Sequence, residues 1–373
     1  MNYIRGGVIV LPDRLISGHV LAYDDKICGI FPEGDGYADA MNAAGCYIAP
    51  GFIDLHIHGY GGCDASDGDV DGILKMARVL LENGVTAFYP TLMTLSPEKL
   101  NCAVSGIRSA MRDARGCARI LGAHLEGPLL NPARAGAQDP DEMSPLPAEY
   151  IRENRDIIRI ITLAPEMPGA ADVIREFSGE LLLSAGHSDA AFAEASSAFS
   201  RGVRHVTHLF NAMSGIHHRN PGLAAAALSD GRVSCELIAD GHHVSTELFS
   251  MIRRMKGDKL VLVTDCTRAG GMEEGEYLLG GQIFRLSGGK CLLPDGTLAG
   301  SVLRMNDAVR NLVKSGAPVP EAVFAASLAP ARAVGLDGER GSITIGKCSD
   351  LVLLDPDFRV RKTIIGGKIT YQA

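Results

Sequence analysis

Eight apolar runs, each about the length of one strand, recur along the middle of the chain with helix-like stretches between them. They are "YIAPGFIDLHIHG", "GVTAFYPTL", "ARILGAHLEGP", "DIIRIITLAPE", "ELLLSAGHS", "GVRHVTHLFNAM", "VSCELIADGHH" and "KLVLVTDC". Apolar runs separated by amphipathic stretches are the signature of β/α units, in which crossover helices set parallel strands side by side. The stretch "SPEKLNCAVSGIRSAMRDARG" offers Ser96 as an N-cap, Pro97 in the first turn and Gly116 as a stop. Leu100, Val104, Ile107 and Met111 fall on one face of that helix. "SDAAFAEASSAFSRG" and "STELFSMIRRMKG" follow the same grammar. Eight such units predict an α/β protein with a (β/α)8 TIM-like barrel over residues 49–340. An open doubly wound sheet would use the same alternation. Polar residues at the end of nearly every strand favour the barrel.

The ends of the chain read differently. Residues 1–48 hold short β-like runs divided by turns at "PDR", "YDDK" and "EGDG", and residues 341–373 repeat that style. Together they predict a small antiparallel β-sandwich domain built from both termini.

With 46% apolar and 21% charged residues and no Trp, the composition is that of an ordinary globular chain. A net charge of −8 argues against a nucleic-acid or anionic-membrane partner. No apolar run approaches the roughly 20 residues that span a bilayer. The N-terminal stretch lacks the long apolar core of a signal peptide, so none is expected. The nine cysteines form no C-x-x-C pair, which fits free thiols in a reducing cytoplasm. Cys63 and Cys266 lie near the motifs below but are not expected to be ligands.

In a barrel of this kind, catalytic groups sit at the C-terminal ends of the strands. Those ends carry His56 and His58, Thr91, His124 and Glu126, Glu166, His187, His208, Asp240 with His242 and His243, and Asp265. In "GFIDLHIHGYGG" the two-residue period of a strand turns His56 and His58 to one face. Taken singly, each residue has an ordinary reading: H-x-H as a hydrogen-bonded pair, Glu126 as a loop carboxylate, Asp265 as an N-cap. Gathered at one rim, histidines and carboxylates are the donor set for Zn²⁺, Fe²⁺ or Mn²⁺. A divalent ion so held lowers the pKa of bound water towards ~7 and polarises a carbonyl. Asp265 could then take the water's proton and pass it to a leaving amine, which amounts to hydrolysis of an amide or related bond.

The motifs "PGFIDLHIHG" (50–59), "HLEGPLLN" (124–131), "TLAPEM" (162–167), "SAGHS" (184–188), "THLFNAM" (207–213), "NPGL" (220–223), "IADGHHV" (238–244), "LVTDC" (262–266) and "GTLAGS" (296–301) run along nearly the whole chain. Through them the sequence resembles the amidohydrolase superfamily and, within it, the N-acetylglucosamine-6-phosphate deacetylase family. The resemblance implies that Glu126, His187 and His208 hold a main metal. His56 and His58 would add a second, bridged by Glu126, giving one or two ions per subunit (Zn²⁺, or Fe²⁺, Mn²⁺ or Co²⁺). It implies Asp265 as general base and acid. It places the sugar phosphate near Ala137, Asn211, Ala212, Arg219, Asp240, Gly241, His242, His243, Leu298, Ala299 and Gly300. Arg219 and His243 would bind phosphate across the interface of a homodimer. Arg is suited to phosphate by its bidentate fork, and backbone N–H groups near Asn211 and Ala212 could add donors. His217 and His218 have no matching role and read as solvated.

One position departs from the family. In "AGAQDP", Gln138 stands where the family usually has a His that contacts the acetyl carbonyl. Gln can still donate there, but it carries no charge. The predicted activity is hydrolysis of N-acetylglucosamine 6-phosphate to glucosamine 6-phosphate and acetate. The galacto epimer and N-acyl-amino acids are alternative substrates. A sugar-phosphate-binding protein without catalysis is the reading from another class.

Overall fold

The computed structural model describes residues 1–373. All eight predicted runs form strands of one parallel sheet: β1 Phe52–Ile57, β2 Val85–Leu92, β3 Ala123–Glu126, β4 Ile158–Leu163, β5 Leu182–Ala185, β6 His205–Val206, β7 Ser234–Ile238 and β8 Leu260–Val263. Each pairs with the next in chain order. The ring closes just beyond β8. Asp265 N–H donates to His56 O at 2.8 Å, and the His58 and Gly59 N–H groups both donate to Cys266 O at 2.9 Å. Nearly every residue of these strands is buried, because side chains on one face fill the barrel and those on the other meet helices. Ile, Val and Leu therefore run almost unbroken where a half-exposed sheet would alternate.

The crossovers supply α1 Val70–Val79, α2 Pro97–Asp113, α3 Ala148–Glu153, α4 Ala170–Phe177, α5 Phe192–Arg201, α6 Leu223–Ser229 and α7 Thr246–Lys256. In α2, Leu100, Val104 and Ile107 are buried as predicted, and Pro97 is the first helical residue. Ser96 occupies the N-cap position without a side-chain cap bond, and the helix ends at Asp113, ahead of the left-handed Gly116. Ser245 Oγ does cap α7, accepting the Glu247 N–H at 3.4 Å. Between β8 and the helix Met305–Lys314 the chain inserts a three-stranded antiparallel sheet (Gly275–Leu279, Gln282–Ser287, Lys290–Leu292) that the sequence pattern did not announce.

The chain ends form two further sheets. One contains Asn2–Arg5, His19–Tyr23, Ile27–Pro32 and Met41–Asn42. The other joins Val8–Val10, Leu15–Ile16 and Tyr47–Pro50 to Leu351–Leu354, Val360–Ile365 and Lys368–Gln372. Ile4, Ile9, Leu21, Ile48, Leu351, Leu353 and Ile364 share one apolar core between them. The unit is not wholly antiparallel as expected. Asn2–Arg5 pairs parallel with Met41–Asn42, and Val8–Val10 pairs parallel with Tyr47–Pro50, because connections of that length can return the chain in the same direction. Tyr47–Pro50 then leads through Gly51 directly into β1, tying the sandwich to the first barrel strand.

Ile48 is fully buried in this second core. Ile48→Ala is expected to cost about 2–5 kcal/mol in urea unfolding. A loss below about 1 kcal/mol would mean that the sandwich contributes little to global stability.

Candidate active site

Six side chains converge at the C-terminal rim of the barrel. His56 is on β1, His58 just past it, and Glu126 closes β3. His187, His208 and Asp265 follow β5, β6 and β8, and all three have left-handed backbones, with φ of 45°, 27° and 47°. Such conformations cost non-glycine residues about 1–3 kcal/mol each and persist where surrounding structure imposes them. Here the turn swings each side chain from the strand direction into the ring. Gly186 is required just before His187: a Cβ there would lie 2.8 Å from both Thr162 Cγ2 and Thr207 Cβ.

The six form two clusters, His56–His58–Asp265 and Glu126–His187–His208, that could each hold a metal ion. Glu126 lies between them. Its Oε1 faces His187 Nε2 at 3.2 Å, His208 Nε2 at 3.1 Å and His56 Nε2 at 3.3 Å. Its Oε2 faces His58 Nε2 at 3.2 Å. Asp265 Oδ1 lies 3.4 Å from His56 Nε2 and 3.3 Å from His58 Nε2. The donor set fits a divalent ion on two observations. Donors about 2.0–2.1 Å from a tetrahedral ion stand about 3.3 Å from one another, close to the spacing in both clusters. In addition, His187 Nε2 and His208 Nε2 face each other at 3.1 Å. His187 Nδ1 donates to Arg134 O at 2.9 Å, which leaves Nε2 as the ring atom facing the cluster, the arrangement a cation ligand needs.

A buried layer beneath the rim orients these donor groups. Glu236 Oε2 accepts from His56 Nδ1 at 3.0 Å and from the His208 N–H at 2.9 Å, and its Oε1 lies 3.1 Å from His205 Nε2. His58 Nδ1 donates to Thr91 O at 3.1 Å. The sequence reading missed Glu236, although a carboxylate inside the apolar run "VSCELI" was itself a signal, since a buried charge needs partners. His124 lies in this layer rather than among the ligands. It bonds Leu55 O at 3.0 Å and Thr162 Oγ1 at 2.8 Å, and burial pulls its pKa down to about 3. Glu166 is also outside the clusters. It accepts from Asn131, Ser188 and the Asp189 N–H, bracing the loops after β3 and β5. Neither Cys63 nor Cys266 joins a cluster.

Burial opposes charge on His56 and His58, but the carboxylates of Glu126 and Asp265 overcome it and raise both pKa values, His58 to about 9. Burial likewise pushes Glu126 and Asp265 up, yet the adjacent imidazolium groups hold both below the ordinary carboxylate range.

A cavity of about 390 Å³ opens over the clusters. Of the predicted substrate residues, Ala137, Gln138, Asn211, Ala212, His243, Leu298 and Gly300 line it, as do Met93, Arg134, Leu279 and Thr297, which the sequence reading did not single out. Asp240 stands behind His243: its Oδ2 takes His243 Nδ1 at 2.7 Å, and its Oδ1 takes the N–H groups of His242 and His243. Burial pulls the His243 pKa down, but the bond to Asp240 more than offsets it, so the ring is biased towards the cation. Gly241 supplies the left-handed turn between Asp240 and His243, and Ala299 is buried with its N–H on Cys291 O. Three expectations are corrected. His243, which the resemblance had reach the phosphate across a subunit interface, lines its own chain's cavity. The Asn211 N–H is committed to His208 O at 3.0 Å, because the left-handed turns at His208 and Phe210 fold the segment back on itself. Gln138 donates to Glu126 Oε2 at 2.6 Å, so this donor is directed at the carboxylate between the two clusters rather than into the open cavity. Arg219 does not reach its own chain's cavity. It is exposed beside His218 and lines a separate groove with Asp189 and Phe192.

The sequence profile described as "Amidohydrolase family" matches residues 47–370. The chain belongs to the amidohydrolase family. This amidohydrolase is 36% identical to the N-acetylglucosamine-6-phosphate deacetylase of Bacillus subtilis (strain 168), over 99% of this chain and 96% of the relative. It is also 36% identical to the N-acetylgalactosamine-6-phosphate deacetylase of Escherichia coli O157:H7, over 86% of this chain and 87% of the relative. A solved structure of the Mycobacterium smegmatis N-acetyl-D-glucosamine-6-phosphate deacetylase in complex with N-acetyl-D-glucosamine-6-phosphate superposes with a TM-score of 0.94 at 30% identity, covering 100% of this chain and 99% of that one.

Because His56 and His58 are held above their ordinary pKa, both carry protons near neutrality, and a metal must displace them. Metal binding is expected to release protons, and apparent affinity should keep climbing with pH up to about 9, where the competing His58 proton is lost. Calorimetry in buffers of different ionisation enthalpy reads this directly. Heats that do not depend on the buffer would contradict it.

Proposed function

We propose that this amidohydrolase is a metal-dependent deacetylase that cleaves the acetamide of N-acetylglucosamine 6-phosphate, yielding glucosamine 6-phosphate and acetate. The observation that carries the reading is the placement of Glu126 between two three-residue donor clusters on the floor of a cavity lined by His243. Glu126, His187 and His208 would hold the main ion, with His56, His58 and Asp265 around a second. Zinc fits these N and O donors, and Fe²⁺, Mn²⁺ or Co²⁺ accept the same set. A bound ion of this kind brings the pKa of a water towards ~7 and polarises the acetyl carbonyl.

The chain's own residues do the rest. Asp265 is ionised at neutral pH, since neighbouring imidazoles hold its pKa down, and it borders the cavity. It accepts the attacking water's proton as the water oxygen bonds to the acetyl carbon. It then returns a proton to the sugar nitrogen as the C–N bond breaks. His243, biased towards its cation by Asp240, faces the cavity as an anion partner for the 6-phosphate. Met93, Leu279 and Leu298 give the sugar an apolar wall, and Asn211 a polar one. The galacto epimer remains the second reading, because one relative of equal identity carries that name.

The reading extends to the assembly. Arg219 is exposed and turned away from its own cavity, which suits a homodimer in which it completes the neighbour's phosphate site beside that neighbour's own His243. Residues 1–48 and 341–373 are read as the sandwich unit and 49–340 as the catalytic barrel. Nine unpaired cysteines support a reducing, cytoplasmic setting.

Acetate release from N-acetylglucosamine 6-phosphate tests the activity, with the galacto epimer and the unphosphorylated sugar alongside. Wild type is expected to turn over the gluco phosphate fastest. Asp265→Asn is expected to lose at least about 1,000-fold in kcat while keeping its fold, since both proton transfers use that carboxylate. Wild-type indifference to the phosphate would redirect the reading to acyl-amino acids. A second experiment mixes Arg219→Ala with Asp265→Asn. Each is expected to be inactive alone, and random hybrids should recover about a quarter of wild-type activity, because one site per hybrid is intact. Recovery at background level would refute the shared site.

A further inference from the structure

We propose that Gln138 is a positioning residue of the metal centre, which aims Glu126 Oε2 and thereby sets the affinity of the His56–His58–Asp265 cluster for a second divalent ion. The inference rests on the metal-dependent reading above and goes beyond it. Gln138 is 2% exposed, and both ends of its amide are engaged. Its oxygen accepts the Thr94 N–H at 2.7 Å, and its nitrogen donates to Glu126 Oε2 at 2.6 Å. Thr94 Oγ1 in turn donates to the main-chain oxygen of Glu126 at 3.1 Å. Thr94, Gln138 and Glu126 therefore form a closed brace linking the ends of β2 and β3 to the loop that carries Gln138.

That brace is built tightly. Gly127, which follows Glu126, has a φ of 101° and no room for a Cβ against Thr94. The loop is pinned from its other side by Gln282 Nε2, which donates to Ala137 O at 2.8 Å from the inserted sheet. The terminal torsion of a glutamate is soft and broad in its preferences. Without an external tie, Glu126 could rotate its two oxygens among four imidazoles. His187 and His208 engage Oε1 together, at 3.2 and 3.1 Å. On the Oε2 side there is only His58, at 3.2 Å, besides Gln138. Removing Gln138 therefore leaves the Oε1 side fixed and lets the Oε2 side drift. A carboxamide also suits this place because it never takes a proton and so adds no positive charge beside a cation site.

Loss of such an outer hydrogen bond typically costs about 10–100-fold in metal affinity. The test uses full-length protein stripped by a chelator and titrated with Zn²⁺ against a chromophoric competitor, with bound metal measured by mass spectrometry. Wild type is expected to take two ions. Gln138→Met, similar in length but without the donor, should bind the first ion as wild type does and the second about 10–100-fold more weakly. Gln138→Asn keeps the amide but is one methylene too short to span from Thr94 to Glu126, and it should show the same loss, which guards against a variant that misfolds. If both variants keep both affinities and lose only kcat, Gln138 works on the substrate and the proposal is overturned. A wild type that takes one ion also overturns it, while leaving the deacetylase reading intact. A wild type that takes none removes the metal-dependent reading itself.

Discussion

Everything at the barrel's mouth depends on one carboxylate. Glu126 is buried among four imidazoles whose nitrogens stand 3.1–3.3 Å from its oxygens. A lone buried carboxylate would be severely destabilised, and so would the imidazolium groups without it. They are tolerable only together, and only if held in place. The surrounding fold holds them: parallel strands that all point the same way, a ring that closes through Asp265 and Cys266, and three left-handed turns that would cost stability anywhere else. The strain is local, and the rigid strands beneath balance it.

A second carboxylate repeats this logic one layer down. Glu236 joins His56 of one cluster to the main chain of His208 in the other. The two candidate sites thus share Glu126 above and Glu236 below. Burial pushes the Glu236 carboxyl up, but the imidazoles of His56 and His205 hold it well below the ordinary range, so this lower support keeps its charge. Asp54, with no such cationic pair of its own, is instead driven up to about 7 by burial.

How much could be read from the sequence follows from physics. The strand period made the shared face of His56 and His58 legible, and apolar runs ending in polar residues made the eight strands and their common rim legible. Three things were not. Gln138 could be seen as a departure from the family, but the partner its amide would choose depends on a loop pinned by a sheet inserted more than a hundred residues later. Glu236 was hidden because its partners, His56 and His205, come from other strands. The parallel pairings in the sandwich escaped because nothing in a short strand's own residues states the direction of its neighbour. Local pattern fixes elements and faces, whereas long-range hydrogen bonds decide which side chains become a site.

The six-stranded sheet of the sandwich has a consequence for how the chain is made. Tyr47–Pro50 leads straight into β1, which carries His56, yet its neighbour Leu351–Leu354 and the strands beyond it leave the ribosome only after the whole barrel has been synthesised. During translation, Tyr47–Pro50 waits without this partner while all eight barrel strands emerge behind it. Contacts this distant in sequence form slowly and leave sheet edges open in the interval. The final docking of the C-terminal strands thus acts as a clasp: it secures the base of the strand that carries His56 last.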